Sequence, residues 1–327
     1  MTRTLQVYEE TFPIAGSFTI SRGSRTEIHV IVAEISDGAY RGRGECVPYS
    51  HYGESMASVR RQIEGMTPLI SAGGSRTILD QALGPGAARN ALDCALFDLE
   101  AKMTGQRAWD LADLAPPPDL LTAFTLSLDS PENMAKTAQS SKDRPLLKLK
   151  LGGAGDPERV EAVRHAAPGV RLIVDANEAW APDMVLPFSA ALAKFGVELI
   201  EQPLPRGGDQ MLSDCPHPVP ICADESCHVS ADLDRLAGRY DLVNVKLDKS
   251  GGLTEGLILV REAKRRGFGV MVGCMLGTSL AMAPATLLAS MADYVDLDGP
   301  LLLATDRDAA LVYRDGYVAR PTPELWG

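Results

Sequence analysis

The sequence predicts an α/β protein: a (β/α)7β barrel of the TIM type, preceded by a smaller α+β domain that caps it. Three observations lead to this fold class. From about residue 120 onward, short apolar runs alternate with amphipathic helical stretches. The polar residues that close these runs recur roughly every two dozen residues, enough for one strand, one helix and two loops. The runs are apolar throughout, as in parallel strands covered on both faces.

The barrel is predicted over residues 116–299, because eight apolar runs supply the eight strands that close a parallel barrel. The runs cover Leu121–Ser127, Leu146–Leu151, Arg171–Asp175, Val197–Glu201, Val219–Ala223, Leu242–Leu247, Gly269–Gly273 and Tyr294–Leu297. A proline, three leucines and a charged stretch follow the last run without a helical period, so no eighth helix is expected. The tail, about residues 300–327, is expected to return to the N-terminal domain.

Residues 1–115 follow a different pattern, which predicts the separate α+β capping domain. Leu5–Tyr8 and Glu27–Ile35 alternate as half-buried strands do, whereas Met56–Gly65 and Ala87–Met103 have helical periodicity. Three consecutive prolines follow Ala115, and they indicate a boundary because proline lacks a backbone donor and restricts the preceding residue.

The composition and charge of the chain favour a small molecule as its binding partner. The 327 residues include 32 Lys and Arg against 43 Asp and Glu, a formal net charge of −11 without basic clusters. Neither a nucleic acid nor a membrane is therefore an expected partner. The first residues lack the basic start and apolar middle of a secretory signal, which favours a cytoplasmic location. The six cysteines form no CxxC pair, so reduced thiols are expected and a zinc cage is not.

Acidic residues close three neighbouring strands of the predicted barrel. Asp175, Glu201 and Asp224 end the third, fourth and fifth apolar runs, and the carboxyl ends of barrel strands form the active site. A single acid at such a position is usually a helix cap. Three together would leave clustered like charges without a cation. Oxygen ligands favour Mg²⁺, which is the predicted cofactor.

Lysines flank these acids on both sides. Lys148 and Lys150 point to the same side of the second strand, and Lys246 ends the sixth. Lys150 and Lys246 are expected to face each other across the metal as two bases, with Lys148 as a second positive group. An isolated KLK could equally be a pair of lysines whose stems cover apolar surface. The metal, a neighbouring lysine and partial burial are expected to lower the pKa of the two bases.

This set of residues suits removal of a proton next to a carboxylate. The step adds a second negative charge to an anionic group, and enzymes lower such barriers by about 8–23 kcal/mol. One hydrogen-bond donor contributes only about 3–4 kcal/mol, so a divalent cation and a further positive group are needed. Bases on both faces of one carbon predict an epimerase.

Several motifs resemble the enolase superfamily, in particular its muconate-lactonizing-enzyme-like branch. They are KLKLGG, VDAN, EQP, ADES and NVKLDKSGGLTEG in the barrel, and RGSR, GECVPY and ARNALDCALFDLEAK in the capping domain. Within that branch, the DLD sequence of Asp296 and Asp298 with GCML resembles the dipeptide epimerases, especially the bacterial L-Ala-D/L-Glu epimerases. The resemblance implies Mg²⁺ on the three acids, with Lys150 and Lys246 as acid and base.

The resemblance also implies a substrate, the dipeptide L-Ala-L-Glu or L-Ala-D-Glu of murein peptide recycling, and it allows a homo-oligomer. The substrate-binding residues that it implies are Thr125, Lys148, Cys274, Met275, Leu276, Asp296, Asp298, Arg22 and Arg25. The two aspartates would hold the ammonium group of the dipeptide. Either Arg22 or Arg25 would pair with the glutamate side chain.

Other functions remain open from the sequence. A cycloisomerase or an o-succinylbenzoate synthase uses the same barrel on a substrate without an ammonium group. A catalytically silent barrel could bind peptides or a partner protein, although all metal ligands and both lysines are present. The pairs Gly152–Gly153 and Gly251–Gly252 would suit a phosphate-binding barrel, but turns explain them equally well.

Overall fold

The computed structural model describes residues 3–327 and begins with a three-stranded antiparallel sheet. Its strands are β1 (Thr4–Ile20), β2 (Gly23–Asp37) and β3 (Tyr40–Cys46). The helices that follow are α1 (Met56–Gly65), α2 (Thr67–Ser71), α3 (Arg76–Ala82), α4 (Ala87–Thr104) and α5 (Ala108–Leu111). The backbone of α4 lies so close to β3 that a Cβ on Gly44 would overlap the carbonyl oxygen of Ala91. Glycine is therefore required at this contact.

The first strand is much longer than the predicted Leu5–Tyr8. Its pairing with β2 shifts register between Pro13 and Phe18, and Gly16 lies in between with a positive φ. The alternation of buried and exposed residues breaks at such a shift, so the sequence pattern identifies only the first part of β1.

The barrel is a parallel sheet whose eight strands lie in chain order, which confirms the predicted fold class. A short strand, β4 (Leu120–Leu121), precedes it. The barrel strands are β5 (Phe124–Leu126), β6 (Leu146–Lys150), β7 (Arg171–Asp175), β8 (Val197–Glu201), β9 (Ile221–Ala223), β10 (Leu242–Val245), β11 (Gly269–Gly273) and β12 (Tyr294–Asp296). Between the last strand and the first, the backbone N of Ala123 donates to the carbonyl oxygen of Val295 at 2.8 Å. This hydrogen bond joins the two edges of the sheet, so the eight strands form a nearly closed barrel.

The helices between the barrel strands mostly cover the outside of the barrel, and the irregular connection from β8 to β9 has no α-helix. They are α6 (Pro131–Ser140), α7 (Asp156–Ala166), α8 (Pro182–Lys194), α9 (Leu233–Leu236), α10 (Leu247–Ser250), α11 (Leu253–Arg265) and α12 (Ser279–Ala289). Only a short 3-10 helix, Gln210–Asp214, joins β8 to β9, in a stretch that is bounded by Pro205 and Pro216 and contains two glycines, which disfavour an α-helix. A 3-10 helix, Gly299–Leu302, follows β12, where the sequence predicts no eighth α-helix.

His217 fixes the irregular connection between β8 and β9. Its Nδ1 lies 2.8 Å from Asp241 Oδ2, and its Nε2 lies 3.1 Å from the carbonyl oxygen of Leu212. The hydrogen bond with Asp241 raises the pKa of His217, although burial opposes the change. The doubly protonated ring is favoured because it can donate to both acceptors.

We expect His217→Gln to lower the melting temperature by roughly 1–2 °C at about pH 5. The folded-state pKa of His217 lies above its ordinary value of 6.5. The stabilisation is therefore complete below the ordinary pKa and is lost as pH rises through the raised one. Thermal unfolding followed by circular dichroism should show the two proteins converging at alkaline pH. A difference that stays constant with pH would contradict the role of the charged ring.

The C-terminal tail packs against the N-terminal part of the chain. It forms two short strands, β13 (Tyr313–Arg314) and β14 (Tyr317–Val318), of which β14 pairs with β4. Leu303 bridges to Ile14 of β1, and the buried Trp326 donates from Nε1 to the carbonyl oxygen of Cys94 at 3.0 Å. These contacts tie the tail to β1 and α4. The division of the chain at residue 115 stays a prediction.

The described residues include all six cysteines, and none of them forms a disulfide. Across residues 3–327, every helix is too short or too polar to span a bilayer.

Candidate active site

Three carboxylates from adjacent strands converge at the carboxyl end of the barrel. Asp175 and Glu201 end β7 and β8, and Asp224 directly follows β9. All three are buried, and one oxygen of each lies within 4.8 Å of the others. The parallel register explains this, since Asp175 and Glu201 are direct partners in the ladder. We call these residues the acidic trio, and so tight a cluster needs compensating positive charge.

A lysine lies on each flank of the acidic trio. Lys150, at the end of β6, donates from Nζ to Asp175 Oδ2 at 2.6 Å. Lys246, directly after β10, donates from Nζ to Asp224 Oδ2 at 2.7 Å. Both lysines line the same cavity. The structure therefore brings together the two lysines that the sequence singles out as bases.

Lys148 lies deeper than the other two lysines. Its side chain is 1% exposed and does not line the cavity. Its Nζ lies 2.7 Å from Asp296 Oδ2 and 2.6 Å from Glu201 Oε2. In this position Lys148 neutralises carboxylates, and the substrate contact that the sequence suggests for it stays a prediction.

Lys249 and Asn244, which were not predicted from the sequence, complete the shell around the trio. Lys249 donates from Nζ to Asp224 Oδ1 at 2.6 Å and to the carbonyl oxygen of Asn244 at 2.9 Å. Asn244 donates from Nδ2 to Glu201 Oε1 at 2.7 Å. The motif KLDKSGG contains a signal for Lys249, because it lies nearly one helical turn after Lys246. Asn244 has no comparable signal, since a single polar residue inside a strand does not show which side it faces.

The trio and the lysines set one another's protonation. Burial alone would raise the pKa of Asp175, but Lys150 and Lys148 lower it to about 2. Burial alone would lower the pKa of Lys246, but the nearby carboxylates raise it well above its ordinary value. The lowered pKa expected from the sequence is therefore not found for Lys246, because the carboxylates beside it favour its charged form. A cation on the trio would oppose the effect of the carboxylates.

The acidic trio fits a hard divalent cation. Its ligands are carboxylate oxygens alone, the donor set that Mg²⁺ prefers. Glu201 Oε2 is buried and accepts no hydrogen bond in suitable geometry, although Lys148 Nζ lies nearby. Such an orphaned oxygen is costly unless a cation or another donor binds it.

Asp296 and Asp298 lie at the end of the last strand, beside Thr125. Asp298 Oδ2 accepts from the backbone N of Thr125 at 2.6 Å, and burial with the charge of Asp296 raises its pKa to about 7. Asp296 Oδ1 is buried without a hydrogen-bond partner. None of these three residues lines the cavity. Asp296 Oδ1 therefore lacks a partner. A positively charged group could bind it only by reaching below the cavity surface.

The remaining predicted contacts line the cavity. Cys274, Met275 and Leu276 follow β11 and form one wall. The capping domain contributes an apolar and aromatic wall that was not predicted from the sequence, formed by Phe18, Ile20, Val47, Tyr49 and Tyr52. The GECVPY motif contains two of these residues, but only the packing of the capping domain on the barrel shows that they face the cavity.

The two arginines near the β1–β2 turn have different surroundings. Arg22 donates from Nη2 to Glu225 Oε1 at 2.8 Å and from Nη1 to the carbonyl oxygen of Asn177 at 3.0 Å. Arg25 lines the cavity with its guanidinium 5.7 Å from the ring centre of Tyr49. Among the described residues, Arg25 has no acidic partner within ion-pair distance. Of these two arginines, only Arg25 offers an unpaired charge to the cavity.

An α/β barrel with carboxylates and lysines at the carboxyl ends of its strands is typical of an enzyme that moves protons. Two family models match the chain: the N-terminal domain of mandelate racemase and muconate lactonizing enzyme over residues 2–112, and the enolase C-terminal domain-like model over residues 133–324. The chain therefore belongs to the mandelate racemase and muconate lactonizing enzyme group of the enolase superfamily. This confirms the resemblance found in the sequence.

Similar proteins narrow the type of enzyme. The chain is 46% identical to the L-Ala-D/L-Glu epimerase of Escherichia coli K12, over 96% of this chain and 98% of that one. It is 44% identical to an N-acetyl-D-glutamate racemase of a Pseudoalteromonas species, over 91% and 95%. The chain is also similar to a solved structure of an enolase family member from Agrobacterium tumefaciens, which has homology to dipeptide epimerases and contains bound sodium and L-Ala-L-Glu. The two sequences are 54% identical, and the structures match with a TM-score of 0.98 over 99% of this chain and 100% of that one. The chain is an isomerase.

Proposed function

We propose that this isomerase is a Mg²⁺-dependent dipeptide epimerase that interconverts L-Ala-L-Glu and L-Ala-D-Glu. The observation that carries the proposal is the placement of Lys150 and Lys246 on opposite flanks of the acidic trio, facing one cavity. Returning a proton to the opposite face of the same carbon needs an acid or base on each face. The names of the Escherichia coli and Agrobacterium proteins support the substrate. The proposed setting is murein peptide recycling in the cytoplasm.

In the proposed reaction one lysine takes the α-proton of the glutamyl residue, and the other gives a proton to the opposite face. The two roles exchange when the reaction runs in reverse. Mg²⁺ held by the acidic trio would supply the positive charge that stabilises the enediolate. Lys148, fixed between Glu201 and Asp296, adds a second positive charge close to the substrate carboxylate.

We assign the ammonium end of the dipeptide to the buried aspartates below the cavity surface, and its glutamyl end to the cavity itself. The ammonium group of alanine would interact with Asp296 and Asp298 beside Thr125, where Asp296 Oδ1 lacks a partner. The glutamyl side chain would extend towards the capping domain and pair with Arg25 in bidentate geometry. The wall of Cys274, Met275 and Leu276 would lie along the dipeptide between these two ends.

Arg25→Ala is expected to lower kcat/KM for L-Ala-L-Glu about 10–100-fold, because the side-chain carboxylate loses a charged hydrogen-bond partner. The value for the neutral isostere L-Ala-L-Gln should fall much less. The matched control is Arg41→Ala, which removes an exposed arginine of β3. Steady-state kinetics on the two dipeptides decides the point, and an equal fall for both would contradict the assignment of Arg25.

The proposed function is tested by incubating the protein with Mg²⁺ and L-Ala-L-Glu in D₂O. Proton NMR should show loss of the glutamyl α-proton signal, and chiral analysis should show L-Ala-D-Glu appearing. Absence of both exchange and epimer would refute the proposal.

A second candidate function is racemisation of N-acyl-glutamate. The Pseudoalteromonas relative favours it, as do Asp296 and Asp298, which are buried below the cavity surface and already accept hydrogen bonds. The substitution Asp298→Asn separates the two candidates, whereas Asp296 also binds Lys148 and is left unchanged. A dipeptide epimerase should lose activity on L-Ala-L-Glu but not on N-acetyl-L-glutamate, which has no ammonium group. If N-acetyl-L-glutamate is much the better substrate of the unaltered protein, the second candidate is correct.

A further inference from the structure

Arg22 joins the β1–β2 turn to the mouth of the barrel. Besides its hydrogen bonds to Glu225 and the carbonyl oxygen of Asn177, its Nη1 donates to Glu178 Oε2 at 3.3 Å. Its Nη2 and Nε donate to the hydroxyl of Tyr49 at 3.1 and 3.3 Å. A guanidinium has five N–H donors, and these five hydrogen bonds involve every nitrogen of the group. Arg22 therefore has little capacity left to bind a substrate.

The partners of Arg22 in the barrel follow the strands that carry the acidic trio. Asn177 lies two residues after Asp175, and Glu225 directly follows Asp224. Ser21 strengthens the same contact, because its Oγ also donates to the carbonyl oxygen of Asn177, at 3.0 Å. The turn of the capping domain is thus held on the loops that surround the trio.

Arg22 is the direct ion-pair partner of the buried Glu225. The side chain of Glu225 is 1% exposed, and within residues 3–327 Arg22 is its single ion-pair partner. Removing one member of a buried, hydrogen-bonded pair costs more than breaking an exposed pair, so the contact between Arg22 and Glu225 ties the turn to the barrel.

Tyr49 connects this ion pair to Arg25. The hydroxyl of Tyr49 accepts from Arg22, and the face of its ring lies under the guanidinium of Arg25. Arg22 and Arg25 are also only three residues apart in the chain. The position of Arg25 is therefore set from two sides, by the backbone of the turn and by the ring of Tyr49.

We propose that Glu225 and Arg22 are positioning residues that hold Arg25 where it can bind an acidic side chain of the substrate. Specificity for a C-terminal acidic residue would then depend on Glu225, although Arg25 makes the contact. The inference rests on the proposed function, because it assumes a substrate with a carboxylate in its side chain.

The first test measures how firmly the turn is held, and it does not depend on catalysis. Backbone amide exchange over Ser21–Arg25 is followed by mass spectrometry in the unaltered protein, in Glu225→Gln and in the control Glu27→Gln, whose exposed carboxylate pairs with His29. Glu225→Gln should exchange at least about 10-fold faster, and Glu27→Gln should not differ from the unaltered protein. Arg22→Lys serves as a second variant if Glu225→Gln does not fold. Unchanged amide exchange over Ser21–Arg25 in Glu225→Gln, or in Arg22→Lys if that variant is used, overturns the proposal.

The second test measures coupling to Arg25. The readout is the ratio of kcat/KM for L-Ala-L-Glu to that for L-Ala-L-Gln. Glu225→Gln should lower this ratio about 10-fold when Arg25 is present, and should not change it further in an Arg25→Ala background. An equal fall in both backgrounds overturns the positioning role. If the unaltered protein converts neither dipeptide, the proposed function fails, whereas amide exchange still decides whether Glu225 holds the turn.

Discussion

Replacing either Lys150 or Lys246 with alanine is expected to lower the rate of epimerisation by roughly 10³–10⁴-fold. Each lysine occupies its own flank of the acidic trio, next to Asp175 on one side and Asp224 on the other. Loss of either one removes the group that takes or gives the proton on that face. The remaining lysine reaches only one face of the α-carbon, because the bound substrate cannot rotate within the site.

The same variants should differ in which epimer exchanges its α-proton with solvent. In D₂O, the protein without Lys246 should exchange the proton of one epimer with retention of configuration, and the protein without Lys150 that of the other. Proton NMR on each pure epimer measures this. Lys264→Ala, at an exposed lysine of α11, is the control and should keep full activity. If both variants exchange the same epimer, the two-base arrangement is wrong.

Glu201→Gln is expected to prevent Mg²⁺ binding at millimolar concentration and to lower the rate at least about 10³-fold. Glu201 is the central member of the acidic trio, and the amide keeps its size while removing the negative charge. The buried Lys148 and the nearby Lys246 would also lose a carboxylate partner. A calorimetric titration with Mg²⁺ measures the binding, and the rate of epimerisation measures its consequence.

The matched control is Glu198→Gln, the same substitution three residues earlier on β8. The carboxylate of Glu198 is partly exposed and pairs with Arg171 away from the trio. This variant should bind Mg²⁺ and turn over substrate like the unaltered protein. Undiminished Mg²⁺ binding by Glu201→Gln would show that the metal lies elsewhere.

The bounds of a strand could be predicted from the sequence where a glycine, a proline or a charged residue marks the end of an apolar run. The bounds of β7, β8 and β11 coincide with the predicted runs. The run Val219–Ala223 is two residues too long, because Pro220 cannot donate to a ladder and β9 begins after it. The run Leu121–Ser127 divides in two, since its first residues pair with the tail rather than with the barrel.

The centre of the site could be predicted because it depends on strand ends alone. In a parallel barrel, residues that close neighbouring strands meet, so the sequence places the acidic trio between Lys150 and Lys246. The roles of Arg22 and Arg25 could not be separated in this way. Arg22 is 203 residues from its partner Glu225, and no periodicity in the sequence reports how the turn of the capping domain lies on the barrel.

A crystal structure with Mg²⁺ and L-Ala-D-Glu tests the central claim most directly. We expect the metal on the acidic trio, and Nζ of Lys150 and Lys246 each within about 3.5 Å of the glutamyl α-carbon, on opposite faces of it. Both amines on the same face of that carbon, or either one out of reach of it, would contradict a two-base epimerase.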